Sequence, residues 1–110
     1  IMDTPEAIAM WRRSIKEELE KIGSAQSIDT LEISSMMPFE ITKEKTDQTP
    51  NGKLTPTMVG TAEQITDNLI RYKEAGMTMP MLWPPFSGTP TQKTIDDMRE
   101  LKEDILPKIA

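Results

Sequence analysis

Apolar positions along this chain recur with two different periods, and the switches between them mark its elements. Ile8, Trp11, Ile15, Leu19 and Ile22 follow one another at steps of three or four, the spacing that lines one face of a helix. Ahead of them Asp3 or Thr4 can cap the helix and Pro5 suits its first position. Gly23 supplies the stop. A second helix opens at Gly60-Thr61-Ala62-Glu63-Gln64, where Thr61 and Gln64 have the spacing of a capping box. Its inner stripe is Ile65, Leu69 and Tyr72, flanked by Ala62 and Ala75, and Gly76 ends it. A third opens at Thr89-Pro90-Thr91-Gln92, carries Ile95, Met98, Leu101 and Ile105 as its stripe, and ends at Pro107.

Between the helices the period falls to two. Residues 31–41 alternate, with Leu31, Ile33, Met37, Phe39 and Ile41 on one face and Glu32, Ser34, Met36 and Glu40 on the other. That is the pattern of a half-buried strand. Pro38 cannot donate to a ladder and predicts an end, a bulge or an edge there. A second strand is expected over Met77–Trp83, with Pro80 making the same demand. Residues 42–58 have little apolar periodicity, two prolines and an Asn51-Gly52 turn, and are expected to form a long exposed loop. Helix, strand, loop, helix, strand, helix is an α/β order, in which successive strands can lie parallel through right-handed crossovers. One domain spanning residues 1–110 is expected.

Composition narrows the chemistry. The chain has 110 residues, 36% of them hydrophobic and 28% charged, with net charge −5. Arg12 and Arg13 are followed at once by Glu17, Glu18 and Glu20, so no cationic stripe forms for nucleic acid or an anionic membrane. The longest apolar stretch, Met79 to Phe86, is too short to span a bilayer. Ile1-Met2 runs into an acidic helix start unlike a signal peptide, so a cytoplasmic location is expected. There is no cysteine and no histidine, which removes disulfides, thiolate or imidazole metal sites and Ser-His-Asp chemistry. No metal is expected.

Val59-Gly60-Thr61-Ala62-Glu63-Gln64-Ile65, Tyr72-Lys73-Glu74-Ala75-Gly76, Leu82-Trp83-Pro84 and Ile105-Leu106-Pro107 occur in this order. Together they resemble the C-terminal end of the bacterial luciferase-like monooxygenase family. The first helix and strand are similar, more loosely, to that family's preceding units. The resemblance implies a partial TIM (β/α) barrel, the last helix-strand units of a structure that takes roughly 250 residues when complete. It implies reduced FMN, or a deazaflavin, as cofactor, with oxygen activation or hydride transfer at the C-terminal mouth of the barrel. The family's phosphate-binding turn belongs to an earlier unit than these. A partial barrel bares sheet edges and an interior face, so the resemblance implies a homodimer or an N-terminal half-barrel partner.

Four residues are candidates for cofactor contact. Trp83 and Phe86 flank Pro84-Pro85 just past the last strand, where barrel chemistry sits; they are either apolar walls of a pocket or plugs of the core. Gly60 and Thr61 begin a helix whose N-terminus could hold a phosphate, although the capping box competes for the same donors. Glu32 and Glu40, on one strand face, are either an acid–base pair or a solvated surface. The nine methionines are expected mainly as core filler.

Overall fold

The computed structural model describes residues 4–49, 56–83 and 91–109. Helix α1 runs over Pro5–Lys21, with the Thr4 hydroxyl accepting from Ala7 N–H and Gly23 in the left-handed region just past its end. A 3-10 turn at Ile28–Thr30 leads into β1 (Ser34–Pro38) and β2 (Glu40–Ile41). A second 3-10 turn at Pro56–Met58 precedes β3 (Val59–Gly60), α2 (Ala62–Ala75), β4 (Met79–Trp83) and α3 (Thr91–Glu100). The chain then widens into a π turn at Leu101–Ile105 and tightens into a 3-10 turn at Leu106–Lys108.

The molecule is mixed α/β with small parallel sheets. β1 pairs in parallel with β4, Ser34 against Met79 through Pro38 against Trp83. β2 pairs in parallel with β3, Glu40 against Val59 and Ile41 against Gly60. The single strand expected over 31–41 is therefore two. It begins three residues late, because Ile28–Thr30 curls into a 3-10 turn, and it breaks at Phe39, directly after the proline that lacks a ladder donor. Phe39 uses the break to bury its ring, 5% exposed. Met77 likewise stands outside β4 and is buried in the core.

Strands β1 and β4 sandwich α2 in sequence, and the core forms where α2 meets their inner face. Met37, Met58, Ile65, Tyr72 and Ile105 are fully enclosed, joined by Ile8, Phe39, Leu69 and Met77. Each such side chain contributes about 1.5–3 kcal/mol relative to an exposed one. The stripe expected on α2 is thus the heart of the molecule. Gly76 ends that helix at φ 104°, and a side chain there would run into Arg12.

The outer stripes are a different matter. Of the α1 stripe only Ile8 is buried; Trp11, Ile15 and Ile22 are 47%, 38% and 73% exposed. On α3 the stripe residues Ile95 and Met98 are exposed, and apolar burial is reached at Ile105, in the π turn. Amphipathic spacing predicts which face is apolar, but a neighbour must be present to cover it. The sheet is similar: Ser34, Met36, Met79 and Met81 share one face by register and are exposed or half-buried, whereas Ser35 and Met37 on the other face are buried. The methionines therefore divide between core filler (Met37, Met58, Met77) and surface (Met10, Met79, Met81, Met98).

Of the expected exposed loop over 42–58, Lys43, Glu44, Lys45, Asp47 and Thr49 are exposed, residues 50–55 with the Asn51-Gly52 turn lie outside the described residues, and the end is corrected. Thr46 and Gln48 are fastened to α2 and β3, and Thr57 and Met58 are buried. Polar side chains hold this segment in place, which an apolar pattern does not reveal.

Candidate functional site

The C-terminal ends of β2 and β3 face the first turns of α2 and α3, and a cleft of about 1000 Å³ opens between them. Lys43, Lys45, Thr61, Glu63, Lys93 and Asp96 contribute to its walls. Its best-defined feature is a clamp. Asp97, 8% exposed, accepts from Ile41 N–H at 3.2 Å and from Lys93 Nζ at 2.7 Å. Lys93 Nζ also donates to Ile41 O at 2.7 Å and lies 4.0 Å from Glu40 Oε1. A buried carboxylate is costly without partners, and here a backbone N–H and an ammonium supply them. The clamp ties α3 to the end of β2. Lys93 and Asp97 were not singled out by the sequence pattern, although their i, i+4 spacing is the one that pairs charges on a helix face.

Gly60 and Thr61 sit at the opposite wall, at the start of α2. Gln64 Oε1 accepts from Thr61 N–H and Thr46 N–H, both at 3.1 Å, and Gln64 N–H donates to Thr61 Oγ1 at 3.2 Å. Gln64 Nε2 donates to Thr46 O at 3.1 Å. The hydroxyl of Thr46 and Nε2 of Gln48 both donate to Val59 O. A Cβ at Gly60 would strike Gln64 Oε1, with Thr46 Oγ1 3.1 Å away. The space over this terminus is filled by the protein's own amide, and Glu63 adds a carboxylate in the first turn. A flavin phosphate does not fit there without displacing Gln64 and meeting that charge.

The same fastening continues down α2. Asn68 Nδ2 donates to Gln48 Oε1 at 2.6 Å and to Thr57 O at 2.8 Å, and the Thr57 and Tyr72 hydroxyls are bonded at 2.9 Å. Farther out, hydrogen bonds from the Thr49 hydroxyl and N–H hold the exposed Asp47 carboxyl below the usual range. Gln48, Asn68 and Thr57 form a structural network that no short motif announces.

Of the remaining candidates, Trp83 closes β4, its backbone opposite Pro38 at the C-terminal end of the sheet. The Trp83 side chain and Phe86 lie outside the described residues. Glu32 stands exposed before β1, while Glu40 lies in β2 beside Lys93. The two carboxylates are thus at opposite ends of the β1–β2 run and are not brought together. Among the described residues no group of three or more acidic side chains could hold a metal ion, and no helix is long and apolar enough to cross a membrane. Comparison of the chain with protein-family models, curated proteins and solved structures finds no match.

Proposed function

We propose that this chain is the C-terminal portion of a flavin-dependent luciferase-like monooxygenase or oxidoreductase, a partial (β/α) barrel that works in the cytoplasm once another chain or a second copy completes it. One observation carries the reading. Two parallel neighbouring strands joined through α2 and followed by α3 leave Ser34, Met79 and Met81 exposed and Met36 half-buried on one face of the sheet, as the units of an incomplete barrel would. The order of the Val59–Ile65, Tyr72–Gly76, Leu82–Pro84 and Ile105–Pro107 motifs supports it.

A bound reduced flavin supplies hydride or activates oxygen. In this reading Trp83 and Phe86 wall the ring, the Asp97–Lys93 clamp fixes the rim, and the phosphate is held by the completing half. No proton-transfer residue is assigned to this chain.

A second reading is favoured by the self-satisfied polar groups at the strand ends: a non-catalytic α/β module that dimerises through its bare sheet face. Titration of the purified chain with FMN, following flavin and tryptophan fluorescence alongside light-scattering mass, separates the two. Saturable binding at about micromolar concentration by an associated form supports the oxidoreductase. A folded dimer that takes up no FMN to about 1 mM supports the module and overturns the first reading.

A further inference from the structure

At the other end of the sheet, where β4 begins, a second cleft of about 430 Å³ separates the last half of α2 from the C-terminal turns. That volume lies within the range of small-molecule sites, roughly 300–1,000 Å³. Leu69, Tyr72, Met77, Pro80, Leu106 and Ile109 give it an apolar lining, and Lys73 stands at it with Thr78.

Three features distinguish it from an ordinary gap between helices. First, its far wall is built by a change of helix type. If α3 continued with α geometry, its stripe would run through Ile95, Met98, Leu101 and Ile105. The π turn at Leu101–Ile105, followed by the 3-10 turn at Leu106–Lys108, shifts the phase and carries Leu106 and Ile109 over Leu69 and Tyr72. Single π turns inside helices frequently mark functional sites. Second, Leu106 is left 45% exposed at the edge of the cleft instead of closing it. Third, the polar capacity of the cleft is one-sided. Thr78 Oγ1 is engaged with both N–H and C=O of Ile33. Lys73 Nζ spends one of its three donors on Ile109 O at 3.0 Å, which holds the ammonium at the rim. Among the described residues it makes no ion pair.

We propose that this cleft binds a compact apolar monoanion, an aryl or alkyl carboxylate, with the hydrocarbon between Leu69, Tyr72 and Leu106 and the carboxylate on Lys73. The charge complementarity sets the class: an ammonium whose other N–H groups have no hydrogen-bond partner among the described residues, beside an apolar slot, favours carboxylate over amide or amine. The site is distant in the fold from the strand C-termini and does not depend on the function proposed above.

The test uses the full chain and three probes of one shape: naphthalene-2-carboxylate, 2-naphthamide and 2-naphthylmethylamine, followed by calorimetry and ligand-observed NMR. The carboxylate should saturate one site about tenfold more tightly than the amide, and the amine should bind weakest. Lys73→Gln should erase the carboxylate's advantage while leaving amide binding intact. Leu106→Glu should abolish binding of carboxylate and amide, with circular dichroism unchanged because Leu106 is at the surface. Equal binding of carboxylate and amide to the unaltered chain overturns the proposal. So does undiminished binding by Leu106→Glu, or a folded chain that takes up no probe to about 1 mM.

Discussion

Gln64 does more than its neighbours of similar chemistry because the start of its own helix and the arm at Thr46 both meet on its amide. It closes the capping box with Thr61, and it receives and donates across the 46–48 arm. Gln64→Ala removes the reciprocal half of the cap and the arm's attachment, leaving Thr46 and Thr61 N–H groups to find water. The expected cost is about 1–2 kcal/mol, measured by urea unfolding, with faster amide exchange at Thr46 than at Ile65. Unchanged stability would mean the arm is held by Gln48 and Asn68 without it. The Thr61/Gln64 box was legible in the sequence because both partners lie within one helical turn. Its second task was not, since Thr46 is eighteen residues away and reaches Gln64 only through the return of the chain at β3.

At the scale of elements, polar ties hold the outer helices where apolar stripes were expected to do so. Asp97 and Lys93 attach α3 to β2. Asp97→Ala leaves Ile41 N–H without its acceptor and Lys93 without the nearer of its two carboxylates, so a loss of about 1–3 kcal/mol is expected, with early hydrogen exchange through the first turns of α3. A conservative Asp97→Asn variant, keeping an acceptor, should recover part of it. Helix α1 is attached to α2 by the Glu6–Arg71 ion pair. Hydrogen bonding from its own backbone, and the Arg71 guanidinium, hold the Glu6 carboxyl below its usual range. A carboxylate with a lowered folded-state pKa contributes stability that is present above its unfolded pKa and is lost as pH falls through the folded value. Because Glu6 is 69% exposed, screening limits this to less than about 1 kcal/mol. Thermal melts of the unaltered chain should therefore drop slightly more between roughly pH 5 and pH 3 than those of Glu6→Gln, the other carboxylates being common to both.

For the molecule as a whole, the question is what covers the apolar surface left outside. Met79 and Met81 project from the sheet face opposite the core, and Trp11, Ile15 and Ile22 from α1. Exposed side chains contribute little to the stability of the isolated chain, so Met81→Lys should change its unfolding free energy by less than about 0.5 kcal/mol. Under either function proposed here the sheet face is an association surface, and the same substitution should weaken self-association or barrel completion by at least about tenfold in sedimentation. A large stability loss without any change in association would place Met81 in the core instead.

The chain's local grammar fixed the three helices, the N-caps of α1 and α2 and the left-handed glycines at 23 and 76, because caps, stripes and stops are interactions between residues a few positions apart; the expected cap of α3 at Thr89-Pro90 lies outside the described residues. It fixed the apolar character of the α2 stripe and the α/β order, and the parallel pairing of β1 with β4 agrees with that order. Tertiary structure decided what depends on distant chain segments. It split the strand at Phe39, since only the competing partners β4 and β3 determine where one ladder ends and the next begins. It fastened the 46–48 arm through side-chain amides, left the stripes of α1 and α3 partly bare, and filled the space over Gly60 with Gln64. A pattern of residues states which surfaces are apolar and which ends can be capped; only the folded chain states which of them have already been met.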